Sequence, residues 1–413
     1  MENIQQEWSR RKFICNASGA GAAAMLSPLL YRVVNQDDRV AKIVAKTIGI
    51  DTHNHIDVPL NVNELPGLKV EMAAEMKKSG LSAICMTFAV DYQKLTNPGD
   101  AYDRFINGLN AMDEVLKSNN MKRSMNLKEL RFAHDQHQPT VIQSVEGAHF
   151  LEGHLDRLGV AYSRGLRHLG LLHDSDASVP LGDVYTNPPQ WGGLTSFGAD
   201  VIRECNKLGI LVDLTHASNE TINAAIKVAT HPVIISHTGL DTQLGQSEFM
   251  AKMMRPRLIS KEQAKIVADA GGVIGVWTHL SDSPVEYARN IRALVDVAGI
   301  DHVCIGTDTK LTPAYRPAGG FGSKPGGPGA QPVNDHPGNH PDGLPHDNNG
   351  PRENRNRGRA GERTNEAWQD QKVGFYFAVV DALLKTGFNE DEIGKIGGGN
   401  FCRIFDAATA GHQ

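Results

Sequence analysis

Eight short apolar runs, separated by stretches with helical spacing, decide what this chain can fold into. In order they are "TIGIDTHNH" (47–55), "LSAICMTFA" (81–89), "TVIQSVEG" (140–147), "GLRHLGLLH" (165–173), "ILVDLTH" (210–216), "PVIISHT" (232–238), "GVIGVWTH" (272–279) and "HVCIGTD" (302–308). They are rich in Val and Ile without strict alternation, the pattern of parallel strands buried on both faces. Between them, segments such as "LKVEMAAEMKKSG", "SFGADVIRECNKLG", "SNETINAAIKVA" and "SKEQAKIVADAGG" place apolar residues at helical spacing. Several begin at a Ser or Asn suited to cap a helix and several end at Gly. Eight strand–helix units predict an α/β fold, a (β/α)8 TIM barrel, with a doubly wound open sheet as the structural alternative.

The C-terminal ends of these runs carry the chemistry. His53 and His55 follow the first run, Glu146 the third, His216 the fifth, His237 the sixth and Asp308 the eighth. In a barrel those ends converge on one face, where sites of this fold are built. Residues two apart on a strand point to one side, so both histidines of His53-x-His55 can face the barrel mouth. Singly, each residue also reads as structure: a turn histidine, an N-capping Asp308, a loop Glu146. Jointly they form the donor set of Zn²⁺ or a similar divalent ion, and one carboxylate such as Glu146 can serve two ions about 3.5–4 Å apart.

The same residues carry a family resemblance. "DTHNH" at 51, "SVEG" at 144, "GLTSFGADVIRECNKLGILVDLTHAS" at 193, "PVIISHTG" at 232, "AGIDHVCIGTD" at 298 and "GGNFCRIF" at 398 resemble the membrane dipeptidase (renal dipeptidase) family, peptidase family M19, in the metal-dependent amidohydrolase superfamily. The likeness extends over most of residues 47–410 outside 311–366. It implies two divalent ions, expected to be zinc: one held by His53, residue 55 and Glu146, the other by Glu146, His216 and His237, with Asp308 beside the first. It further implies that His173 contacts substrate and stabilises the tetrahedral intermediate, and that Arg257, or Arg255 two residues away, contacts substrate. The implied activity is metallo-dipeptidase hydrolysis of a small-molecule dipeptide, with Asp308 as the proton carrier. His279 ends the seventh run without a family counterpart and reads as a wall residue.

Two features set the chain apart from the pattern it resembles. The family has His-x-Asp after the first strand, and here His55 replaces the acid, with Asp57 as a candidate supporting carboxylate. An imidazole there leaves the ion pair one unit more positive and favours nitrogen-preferring metals. Residues 311–366 are dense in Pro, Gly, Asn and His, which predicts a long irregular insertion after the eighth strand, at the face where loops shape the pocket. An amidohydrolase acting on a non-peptide amide or lactone is therefore a second expectation. A non-catalytic metal-containing binding protein is a third, and the complete ligand set with Asp308 argues against it.

The remaining features bound context. Arg10 and Arg11, then Phe13 and Ile14, precede a weakly apolar Ala/Gly stretch, the pattern of a twin-arginine export signal. Residues 1–40 are thus expected to be leader and 41–413 the hydrolase barrel, exported to the periplasm or cell envelope through the twin-arginine machinery. A net charge of −5 without a Lys/Arg block in the body gives no electrostatic footprint for nucleic acid. The five scattered cysteines do not read as a disulfide framework. A homodimer is left open.

Overall fold

The computed structural model describes residues 38–65, 67, 69–92, 94–315, 362–369 and 371–412. The twin-arginine leader expected from Arg10 and Arg11 lies outside them. Residues 38–46 are helical and belong to a unit of their own, Met1–Lys46, while Thr47–Gln413 forms a second unit that contains the whole sheet.

Each of the eight apolar runs contains one strand: β1 (Ile50–His55), β2 (Ala83–Thr87), β3 (Thr140–Val145), β4 (Leu166–Gly170), β5 (Leu211–Asp213), β6 (Ile234–Thr238), β7 (Val273–Val276) and β8 (Val303–Ile305). Consecutive strands pair in parallel, as a buried α/β sheet requires. The eighth run breaks at Gly306–Asp308 and resumes as β9 (Thr309–Lys310), which pairs with β1 through Asn54↔Thr309 and His55↔Lys310. One stretch of chain thus pairs with β7 on one side and β1 on the other. The nine-stranded sheet curls into a TIM-barrel-like α/β fold, as the strand–helix alternation predicts.

The crossover helices start where the sequence places capping hydroxyls. Thr195, Ser218, Ser260 and Ser283 accept from the backbone N–H of Gly198, Thr221, Gln263 and Glu286, each such cap being worth about 1 kcal/mol. The barrel separates apolar from polar along its axis. Strand residues Ile50, Ala83, Cys85, Ile142, Leu211, Ile234, Val273 and Cys304 pack against Phe401 and Phe405 of the closing helix Asn400–Thr409. Water is excluded at that end, and the ionisable residues collect at the other.

One irregularity links fold to site. The β6–β7 register shifts between Ile235 and Thr238, and the Ser236 carbonyl accepts from Thr52 Oγ1 of β1 at 2.8 Å. Gly275 and Gly306 supply the space, since a Cβ on either would collide with Ser236 O. The bulge seats His237 and the Ser236 hydroxyl beside β1.

The ends of the 311–366 segment are anchored at the barrel mouth. Leu311 N–H donates to Asn54 Oδ1 at 2.9 Å, Lys310 N–H donates to Glu362 O at 2.9 Å, and Thr364 Oγ1 accepts from Asn54 Nδ2 at 2.8 Å. Residues 316–361, the greater part of the expected insertion, lie outside the described residues. Cys85, Cys205, Cys304 and Cys402 are buried free thiols.

Candidate metal centre

Glu146, one residue beyond β3, is the hub. Its Oε1 lies 2.8 Å from His216 Nε2, 3.4 Å from His53 Nε2 and 3.5 Å from His237 Nε2. Its Oε2 lies 3.4 Å from His173 Nε2 and 3.6 Å from His55 Nε2. Five imidazoles from the ends of β1, β4, β5 and β6 therefore turn Nε2 toward one carboxylate. Asp308 joins from the break after β8, its Oδ1 3.1 Å from His55 Nε2 and 3.9 Å from His53 Nε2.

The other ring nitrogen of each histidine is committed. His55 Nδ1 lies 2.8 Å from Tyr92 Oη, and His173 Nδ1 2.6 Å from Asp91 Oδ1. His216 Nδ1 lies 2.7 Å from Tyr185 Oη and 3.1 Å from Asp174 Oδ1. His237 and His53 share the Ser236 hydroxyl, at 3.0 and 3.3 Å. A ring that donates Nδ1–H to an oxygen presents the Nε2 lone pair on its far side, which is how metal-ligating histidines are held.

Two further observations test whether the residues fit metal ions. The Nε2 atoms of His53 and His55 are 3.2 Å apart, as are those of His216 and His237; two ligands on one tetrahedral Zn²⁺ with bonds of 2.0–2.1 Å lie about 3.3 Å apart. Buried Glu146 Oε2 has no hydrogen-bond partner among the described residues, a cost that a cation would remove. The fit is good. Groups able to hold an ion include His53 with Glu146 and His237, His53 with His55 and Asp308, and Glu146 with His173 and His216.

The electrostatics follow from burial set against these neighbours. Burial alone would raise the Glu146 carboxyl, yet the charges of His173 and His53 and the hydrogen bond from His216 hold it well below the usual range. Burial opposes ionisation of Asp308 too, and His237 with the hydrogen bonds from His279 and His55 overcomes it. Under the site, buried Asp51 accepts from Thr307 N at 2.8 Å, Thr307 Oγ1 at 2.6 Å and Asn54 Nδ2 at 2.8 Å, and burial pushes its carboxyl up to about 6 against those bonds. Asp51 clamps β1 to the β8 break. His216 (φ 70°) and Asp308 (φ 54°) both occupy the left-handed region, strain that recurs where backbone must aim a functional side chain.

The structure brings His53, His55, Glu146, His173, His216, His237 and Asp308 together. Arg257 reaches the same mouth but ends on Asp174, its Nη2 donating to Oδ2 at 2.6 Å, while Arg255 is exposed. Burial disfavours the charged form of Asp174, but the His216 hydrogen bond and the charges of His216 and Arg257 bring its carboxyl down to about 2. His279, which the sequence reads as a wall residue, donates to Asp308 Oδ2 at 2.8 Å. Asp57 turns to Lys310 Nζ at 3.0 Å, and the group behind His55 is Tyr92. Asp91, Tyr92, Asp174, Tyr185 and Ser236 are absent from the sequence reading. Asp91 and Tyr92 lie just after the second apolar run, so extending the strand-end rule three residues past "LSAICMTFA" finds them.

An α/β barrel that gathers five imidazoles and two carboxylates at its strand ends is a metal-dependent hydrolase. More narrowly, the chain belongs to the membrane dipeptidase family (peptidase family M19), whose sequence model matches residues 37–316. Over 227 residues it is 24% identical to the Klebsiella pneumoniae protein described as "Uncharacterized protein in pqqA 5'region", covering 51% of this chain and 80% of that one. Among solved structures it is similar to an amidohydrolase from Pseudomonas aeruginosa, with 20% identity, a TM-score of 0.66, and coverage of 89% of this chain and 98% of that one. It is also similar to a metallo peptidase from Rhodobacter sphaeroides liganded with a phosphinate mimic of the dipeptide L-Ala-D-Ala, with 17% identity, a TM-score of 0.59, and coverage of 88% and 99%. At these identities the likeness to the solved structures is one of fold.

Proposed function

We propose that the protein is a zinc-dependent dipeptidase with two ions, one held by His53, His55 and Glu146 and the other by Glu146, His216 and His237, with Asp308 beside the first. The observation that carries this is the convergence of the Nε2 atoms on Glu146 while every Nδ1 is committed elsewhere. When bound, the ions lower the pKa of water toward neutrality and polarise the scissile carbonyl. Asp308, its Oδ2 fixed by His279, accepts the proton of the attacking water and returns it to the leaving amine. Burial lowers the His173 imidazole, but the charges of Glu146 and Asp91 outweigh it and raise the ring above its ordinary range. As an imidazolium it donates from Nδ1 to Asp91 and from Nε2 to the oxygen that gains charge, the kind of contribution usually worth most.

Arg257 favours a second reading, an amidohydrolase acting on a neutral amide or lactone. Its guanidinium is already paired with Asp174, so a substrate carboxylate must compete for that fork, and a neutral substrate need not. The deciding experiment loads the full chain with two equivalents of zinc and assays L,L and L,D dipeptides beside lactones and N-acyl amino acids. Dipeptide turnover supports the first reading. Lactone cleavage that is abolished by Asp308→Asn, with no dipeptide turnover, overturns it. We further propose export to the cell envelope through the twin-arginine machinery, supported by Arg10, Arg11, Phe13 and Ile14; replacing both arginines by lysine should leave the protein in the cytoplasmic fraction, and unchanged export would contradict it.

A further inference from the structure

Asp91 is a buried carboxylate that the chemistry above leaves without a part. Its side chain is 4% exposed, and its Oδ1 accepts from His173 Nδ1 at 2.6 Å. Its Oδ2 accepts from Ser175 Oγ at 2.5 Å, and His149 Nε2 lies 3.8 Å from that oxygen while donating to Ser175 O at 2.8 Å. Ser175 and His149 thus hold the carboxylate, and the carboxylate holds the ring.

A buried carboxylate is costly unless its partners use it fully, and here the return is direction. With Nδ1 committed to Asp91, Nε2 is the ring nitrogen left to act, and it stands 3.4 Å from Glu146 Oε2, at the space the imidazole pairs enclose. The rings of Tyr92 and His216 meet His173 edge-on, at centroid distances of 5.8 and 4.8 Å. Those contacts limit its tilt. They do not choose whether Nε2 or the carbon Cε1 faces inward, because a ring flipped by 180° fills nearly the same volume.

We infer that Asp91 is a positioning residue for the hydrolysis: through Nδ1 it keeps Nε2 of His173, rather than the carbon Cε1, facing the scissile carbonyl, with Ser175 and His149 clamping it in place. The inference rests on the proposed role of His173 as donor to the developing oxyanion. Holding a donor in register matters, because misplacing a catalytic group by about 1 Å costs on the order of 10²-fold.

The test is a double-mutant cycle in the zinc-loaded full chain, using the best substrate of the panel above. Loss of one oxyanion donor typically costs 10²–10³-fold in kcat, so His173→Ala should lose about that much. Asp91→Ala should lose about 10²-fold in kcat with KM and zinc content unchanged. In the His173→Ala background, Asp91→Ala should add less than about threefold, since the two act as a unit. Asp91→Asn keeps an oxygen that accepts from Nδ1, though more weakly than a carboxylate, and should lose only about tenfold; it also serves if the alanine variant fails to fold. A readout independent of turnover is NMR of the metal-free protein labelled at histidine. There the His173 Nδ1 proton should appear downfield and slow to exchange, and vanish in Asp91→Ala. Wild-type kcat in both Asp91 variants beside an impaired His173→Ala, or losses that multiply, overturns the positioning role. Wild-type kcat in His173→Ala overturns the underlying role of His173 itself.

Discussion

Replacing Gly306 by Ala should damage the metal centre without touching a ligand. A Cβ at 306 would point into the barrel, in collision with Ser236 O, 2.8 Å from Thr52 Oγ1 and 2.9 Å from Ser236 C. The obstacle is backbone of the β6 bulge and cannot rotate away. On one side of that bulge sits His237, and two residues beyond Gly306 sits Asp308. Relief requires a shift on the order of 1 Å in one or both, and a misplacement of that size costs about 10²-fold in activity. Overpacking a filled interior destabilises by typically 1–3 kcal/mol, and a displaced Ser236 carbonyl that loses the Thr52 hydroxyl adds roughly 1–3 kcal/mol for a buried acceptor left unmade. Together, about 2–6 kcal/mol of stability should be lost. Urea unfolding of the chelator-treated protein measures the stability term, and competition with a chromogenic chelator measures zinc affinity. The control is Gly159→Ala, where an added Cβ meets nothing; in its helix this should be neutral or stabilising by up to about 1 kcal/mol. If Gly306→Ala unfolds at the wild-type urea concentration and binds zinc as tightly as wild type, the bulge does not seat the centre as described.

Two other outcomes follow from the geometry. Tyr92→Phe removes the group that fixes the His55 tautomer and should weaken zinc at one of two sites by about 10–100-fold, read as a biphasic competition curve; a single unchanged phase would show that His55 needs no such support. Burial pushes the Cys304 and Cys402 thiols up to about 12 and also holds those of Cys85 and Cys205 well above their ordinary value. Since the thiolate is the reactive form, Ellman's reagent should modify these four slowly in the native protein and fully in denaturant, and rapid native reaction would contradict their placement.

What could be read from the sequence had a residue-level signature. His53, His55, Glu146, His216, His237 and Asp308 each close an apolar run, and strand ends of a parallel barrel share one face whatever the loops do. The eight strands were legible for the same reason, a strong local pattern. Ser236 was not, because its role comes from a bulge that local pattern does not encode. Asp174 and Tyr185 lie in the loop that follows β4, and their approach to His216 is set by tertiary folding. Asp51 looked like a flanking acid of His53 and is instead bonded to Thr307, 256 residues away in sequence. The left-handed backbone of His216 and Asp308 was equally hidden, since neither residue is a glycine to announce it.

Whether one carboxylate serves both ions is decided by metal analysis of the purified chain beside Glu146→Gln. One carboxylate faces both imidazole pairs, so two zinc ions per wild-type chain are expected, and the loss of both after dialysis of the variant, with the fold retained by circular dichroism. Two tightly bound ions in Glu146→Gln, or a single ion in the wild type, would contradict a centre built around Glu146.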